Sequence, residues 1–185
     1  FEQKLKQGVP VYGIELKLMN DDGDEVPWDG ETSGNLLVRG PWVVEKYFNR
    51  PDVSNENGWF DTGDISIIDK HGYMKITDRS KDVIKSGGEW ISSVDIENAM
   101  MSHPEVLLAA VIGVEHPRWD ERPLLIIQNH GDTSLTHEEV ATFLKGKIAK
   151  WWMPDAVEYI DNIPMTATGK MHKLKLRDAF DGYTF

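Results

Sequence analysis

The sequence predicts an α+β fold: a β-rich first part, then a smaller α+β segment whose helices pack on a short sheet. Two observations predict it. Between Gly8 and about Thr77, apolar runs approximate period-two alternation and are separated by turn-forming residues. After Asp78, stretches with helical spacing begin to interrupt the strands, and that mixture fits helices laid on a small sheet. The expected division is a β-rich subdomain over 1–77, an exposed charged linker over 78–82 and a mobile α+β domain over 83–185.

In the first part, Val11 to Met19 approximates strand alternation and Asn20-Asp21-Asp22-Gly23-Asp24 is a strong turn. Asn35 to Arg39 is a second strand. A short helix is expected from Val43 to Asn49, stopped by Pro51. Asp64 to Asp69 and Tyr73 to Thr77 flank Lys70-His71-Gly72 as a hairpin. In the second part, Val94 to Met101 has helical spacing with Ser93 as its N-cap. Strands follow at Val106 to Val114 and Pro123 to Gln128. Thr136-His137-Glu138-Glu139 is a capping box opening a helix to about Lys150. Ala156 to Ile160 is a strand, and Leu174 to Phe180 a last helix. Trp151-Trp152 is expected in the core. There is no internal repeat and no low-complexity tract.

The 185 residues suffice for one sizeable domain or two small ones, and 40% of them are apolar. The apolar run Val106 to Ile112 is far short of a membrane span. A net charge of -11 repels nucleic acid and anionic lipid, and charge does not separate the two halves. With no cysteine, disulfides, thiolate nucleophiles and Cys-type zinc sites are excluded. The six histidines show no metal-ligand spacing, so no metal site is expected from this chain. No Gly-x-Ser-x-Gly elbow is present, against a serine hydrolase. The polar, charged N-terminus is unlike a signal peptide, and the start on Phe1 suggests a piece cut from a longer protein.

Three stretches have residues suited to chemistry. Gly58-Trp59-Phe60-Asp61-Thr62-Gly63-Asp64 ends a loop at a strand start, where an acceptor-only carboxylate can take both hydroxyls of a vicinal diol such as ribose. The same residues also suit an Asx-type turn. Asp78-Arg79-Ser80-Lys81-Asp82 leads through Lys85 to Gly87-Gly88 and Trp90. The double glycine permits close approach by a ligand, or simply a tight turn between strands. Pro164-Met165-Thr166-Ala167-Thr168-Gly169-Lys170 lies in a run without acids from Asn162 to Arg177. It is not a Walker A loop, because Pro164 and Met171 stand where that loop needs Gly and Ser or Thr. Lys170 is either a lysine delivered by a flexible loop to a charged substrate or a solvated helix start. Each stretch alone favours the plainer reading; their order along one chain does not.

In that order, the motifs Gly-Trp-Phe-Asp-Thr-Gly-Asp (58–64), Asp-Arg-Ser-Lys-Asp-x-Ile-Lys-x-Gly-Gly-Glu-Trp-Ile (78–91) and Pro-x-Thr-x-Thr-Gly-Lys (164–170) resemble the AMP-forming acyl-CoA synthetases. This adenylate-forming superfamily also holds luciferases and peptide-synthetase adenylation domains. The resemblance covers nearly the whole chain, including Gly34 to Pro41, and the wording of Lys85 to Ser93 is most like the medium- and long-chain fatty-acid ligases.

The resemblance implies a C-terminal fragment of an ATP-dependent acid–CoA ligase. Residues 1–77 would be the last β-rich subdomain of an N-terminal region missing here. Asp64 and Arg79 would bind nucleotide, Asp78 would be the hinge, and Lys170 would act in adenylation. Lys85, Gly87, Gly88 and Trp90 would line the CoA pantetheine channel, with Lys85 approaching the active site in the thioester step. ATP with Mg2+, CoA and a carboxylic acid are the implied small molecules, the acid being a medium- or long-chain fatty acid or else a short, aromatic or sulfur-containing one. No nucleic acid and no transmembrane segment are expected, and a homodimer is left open. Cytoplasmic placement is expected from the need for ATP and CoA. The alternative from another class is a non-catalytic interaction module. The fragment alone is expected to be inactive.

Overall fold

The structure is a computed structural model that describes residues 2–49, 57–131 and 134–185. The chain forms two compact units, Phe1–Lys81 and Asp82–Phe185, and its fold class is α+β.

The first unit is an antiparallel sheet of β1 (Glu15–Met19), β2 (Gly34–Arg39), β3 (Phe60–Ile68) and β4 (Met74–Arg79), in spatial order β1-β2-β3-β4. Its core is Leu18, Leu36 and Ile68, with Leu16, Val26, Val38 and Met74 packed against them. The turn after β1 forms as its composition dictates. Asn20 Oδ1 accepts the Asp24 N–H (2.8 Å) and Gly23 takes the left-handed φ of 85°. The β3–β4 turn is built around Asp69, whose carboxylate accepts the N–H groups of His71 (2.8 Å) and Tyr73 (3.1 Å) and meets the Lys6 ammonium at 2.6 Å.

Three expectations fail in this unit. The first strand begins at Glu15 rather than Val11, because the chain turns at Gly13 (φ 84°) and the Ile14 N–H bonds back to the Val11 carbonyl. No helix forms over 43–49. One bond from Val43 N–H to Gly40 O closes a single turn, and β-branched Val43 and Val44 add little helical propensity. Pro51, the expected stop, lies outside the described residues. The run 78–82 is not a fully exposed linker: Asp78 is 3% exposed inside β4, opposite Ile65, because pairing with β3 continues beyond a register shift. Asp82 is also tied down, to Arg177 at 2.8 Å.

The second unit holds β5 (Ile84–Ser86), β6 (Glu89–Ile91), α1 (Ser93–Met101), β7 (Val106–His116), β8 (Asp120–Asn129), α2 (His137–Leu144), β9 (Ala156–Tyr159) and α3 (Lys173–Ala179). Strand β8 has antiparallel β7 along one edge. Its other edge carries β5 near its start and parallel β9 from Leu124 onward. The sheet is covered on both faces. Val111, Leu125 and Ile127 join Ile96 and Met100 of α1 and Val140 and Leu144 of α2 in one core. Ala110, Ile112, Leu124 and Ile126 point the other way, with Ile163 and with Leu176 of α3. Burial of both sets is why β7 and β8 read as continuous apolar runs. Each fully buried Leu or Ile contributes roughly 1.5–3 kcal/mol.

Helix α1 is capped by Ser92, one residue before the expected cap, its hydroxyl accepting the Asp95 N–H (3.1 Å). Helix α2 has the capping box, with Thr136 and Glu139 each bonded to the other's backbone N–H. It ends at Leu144, short of the expected Lys150, because Lys145 leaves helical geometry and Gly146 follows at φ 79°.

Candidate functional site

In the first unit, β3 and β4 set Asp64 opposite Arg79, and Asp64 Oδ1 meets Arg79 Nη1 at 2.9 Å. The local sequence explains the placement. Asp61 Oδ1 accepts the Gly63 N–H (2.8 Å), and Gly63 adopts φ 69°, so the Asx-type turn is present. Thr62 Oγ1 donates to Leu36 O (2.9 Å) and accepts the Asp64 N–H (3.1 Å). The ladder shifts register between Asn35 and Leu37 opposite this segment, an irregularity of the kind that re-aims a side chain. The Asp64 side chain is 15% exposed and that of Arg79 is 55% exposed. A carboxylate has about four acceptor positions, so one bond to Arg79 leaves capacity for a diol. Trp59, at the start of the motif, has Lys17 Nζ and the Arg39 guanidinium each 4.6 Å from its ring. Asp78, expected as a hinge, keeps its carboxylate on the Arg79 N–H (2.7 Å) inside β4.

In the second unit, Gly87 and Gly88 form the two-residue connection of the β5–β6 hairpin, with φ 58° and 86°. Positive φ at both positions is what a type I′ turn requires, so the tight-turn reading holds. Lys85 and Trp90 face each other across this hairpin, with the ammonium 5.7 Å from the ring. The Lys85 N–H donates to Glu121 Oε2 (2.9 Å).

Lys170 is exposed on a separate loop, between β9 and α3. That loop is a closed turn. Met165 bridges Met171, Thr166 N–H donates to Lys170 O (2.7 Å), and Thr166 Oγ1 accepts the Lys170 N–H (3.0 Å). Gly169 supplies φ 78°. The backbone of Lys170 is therefore fixed while its side chain reaches outward, a hydrogen-bonded turn where a flexible loop was expected. Asp64 thus stands with Arg79, and Lys85 with Gly87, Gly88 and Trp90, while Lys170 is carried by the turn between β9 and α3.

Two buried ionic clusters escaped the sequence reading. Lys173 Nζ lies 2.7 Å from Glu97 Oε1 and 2.6 Å from Ser93 Oγ, and Glu97 also accepts the Val111 N–H (2.8 Å). Arg122, 6% exposed, lies against Asp155 at 2.7 Å. The available signals were a carboxylate between Ile96 and Met100 on the buried face of α1, and a cation leading the apolar run of β8. Trp151, expected in the core, is 38% exposed and packs edge-on against Trp119 at 5.0 Å. Among the described residues, no three His, Asp or Glu side chains converge as a metal site, and no helix is long and apolar enough to cross a membrane.

Residues 95–170 match the family described as the AMP-binding enzyme C-terminal domain. The chain is 53% identical over 97% of its length to 3-methylmercaptopropionyl-CoA ligase of Ruegeria lacuscaerulensis, covering 34% of that protein. It is 47% identical over 96% of its length to the medium-chain-fatty-acid–CoA ligase of Ectopseudomonas oleovorans, covering 33% of it. Among solved structures it resembles o-succinylbenzoate CoA synthetase of Bacillus subtilis in complex with its acyl-adenylate. There the TM-score is 0.81 at 32% identity, over 96% of this chain and 36% of that one. Residues 95–170 thus carry the C-terminal domain of the AMP-binding enzymes. The curated relatives that match nearly the whole chain are acyl-CoA ligases, and the chain spans about a third of their length.

Proposed function

We propose that this chain is the C-terminal part of a longer ATP-dependent ligase that joins a carboxylic acid to CoA, releasing AMP and pyrophosphate. The observation that carries the reading is Lys170, presented on a fixed turn in an acid-free stretch of a chain whose relatives are CoA ligases. In the first half-reaction a carboxylate oxygen bonds to the α-phosphorus of ATP and pyrophosphate leaves with the electron pair. Negative charge gathers in that transition state, and the Lys170 ammonium opposes it, an effect on the order of 3 kcal/mol. Asp64 takes the ribose hydroxyls, and Arg79, already beside it, serves the same ribose and phosphate region.

In the second half-reaction the CoA sulfur bonds to the acyl carbon, AMP leaves with the electron pair of the broken C–O bond, and the thiol proton passes to solvent. Lys85, the Gly87-Gly88 turn and Trp90 line the passage of the pantetheine arm. Asp78 is the pivot about which 82–185 turns between the two steps, its carboxylate held on the Arg79 N–H. Among the described residues no acids gather into a metal site, and Mg2+ would ride on the ATP phosphates, where it neutralises charge.

For the acid we propose an unbranched aliphatic chain. The thioether sulfur of 3-methylmercaptopropionate occupies about the space of a methylene, so a slot for that acid also suits short and medium fatty acids. The test is thioester formation by the full-length ligase with ATP, Mg2+, CoA and acids from acetate to palmitate, plus 3-methylmercaptopropionate and benzoate. A preference for unbranched aliphatic acids, with Lys170→Ala lowering adenylation about a hundredfold, is the expected result. A preference for benzoate would replace the acid class. No product with any acid would leave the interaction module as the better reading.

A further inference from the structure

Arg122, at the start of β8, has its whole guanidinium engaged. Nε donates to both Asp155 carboxylate oxygens at 3.0 Å. Nη1 donates to Ser86 Oγ (3.2 Å) and the Trp151 carbonyl (3.1 Å). Nη2 donates to the Met153 carbonyl (3.0 Å) and Asp155 Oδ1 (2.7 Å). These bonds use all five N–H groups of the fork. The guanidinium also lies 4.6 Å from the Trp151 ring. A buried ion pair is a poor source of net stability, since removing two charges from water roughly offsets their attraction. What a saturated planar fork does well is fix directions, which the point charge of lysine cannot do.

Two of these ties lead to the Gly87-Gly88 turn. Ser86, fully buried, is the residue immediately before it. Trp151 packs on Trp119, whose carbonyl accepts the Gly87 N–H (2.9 Å) and whose ring would stand 3.0 Å from a Cβ at Gly87. The turn therefore rests on a Trp119–Trp151 shelf whose rear support is Arg122. The turn that presents Lys170 is closed by its own Thr166 and by the Met165–Met171 bridge.

We infer that Arg122 is a positioning residue for the thioester-forming half-reaction alone, holding the Gly87-Gly88 turn where the pantetheine arm passes. This rests on the CoA-ligase reading above. In the full-length ligase, Arg122→Lys keeps the charge and loses the fork. The expected result is a fall of about tenfold or more in the rate at which isolated acyl-adenylate and CoA yield thioester. Acid-dependent exchange of pyrophosphate into ATP, which reports adenylation only, should stay within about twofold of wild type. Ser86→Ala removes one hydroxyl and leaves Asp155 and both carbonyls in place, which keeps a test available if Arg122→Lys does not fold. It should slow the same half-reaction about threefold. An unchanged thioester rate in the folded variants would overturn the inference, and so would thioester and exchange rates falling in parallel. A wild-type ligase with neither activity would instead remove the CoA-ligase reading, and the inference with it.

Discussion

At the scale of single residues, the electrostatics are set by close pairs whose value depends on pH. The Lys6 ammonium, helped by the N–H groups of His71 and Tyr73, holds the Asp69 carboxyl down from 3.8 to about 2. The folded state therefore favours the ionised form, and this stabilisation is present above pH 3.8 and lost as pH falls through about 2. Lys6→Met should lower the thermal midpoint near neutral pH. Its deficit against wild type should shrink between pH 4 and 2, so melts of both chains at pH 7 and pH 2 provide the check. A deficit of equal size at both pH values would mean that Lys6 acts through packing instead. Gly87 shows how tightly a single position can be held. At φ 58°, with the Trp119 ring in the way, Gly87→Ala should cost about 1 kcal/mol in denaturant unfolding, the usual scale for a side chain forced into left-handed backbone.

At the scale of elements, caps and alternation decide most boundaries. Thr136→Ala removes one arm of the α2 capping box and should cost about 1 kcal/mol, measurable by urea unfolding at constant slope. The sequence made α2, β7, β8 and the β3–β4 hairpin visible, because capping side chains and apolar runs are local signals. The brief strands β5 and β6 entered only as the flanks of one of two readings of the double glycine, for a related reason. Three residues on either side of two glycines carry too little alternation, and the hairpin is secured by Ser86 and Gly87 through β8 and Trp119, far along the chain. Candidate residues such as Asp64, Lys85 and Lys170 stood out by their motif. The supports around them did not. Arg122 and Glu97 are polar residues in apolar surroundings whose partners, Asp155 and Lys173, lie 33 and 76 positions away. No local period signals such a pairing. The same blindness misjudged Asp78, which charge density alone placed in solvent and strand pairing placed in β4.

At the scale of the molecule, the two units have separate cores, Leu18, Leu36 and Ile68 in one and the β7–β8 layers in the other. Residues 82–185 made alone should fold with a cooperative melt, since both faces of their sheet are already covered by their own helices; a broad, gradual loss of circular dichroism would refute this. The 185-residue chain should not turn over ATP with any acid, because on the proposed reading it spans only about a third of the length of the ligases it matches and holds too few of the groups that both half-reactions need. The first unit also leaves Tyr12 98%, Trp42 75% and Phe48 93% exposed. Exposed aromatics of that size attract one another, while a net charge of -11 keeps the molecules apart at low salt. Screening shortens the reach of that repulsion to about 8 Å at physiological ionic strength. Colloidal behaviour should follow: clear, monodisperse solutions in dilute buffer, and light scattering that climbs as sodium chloride is added, the reverse of ordinary salting-in.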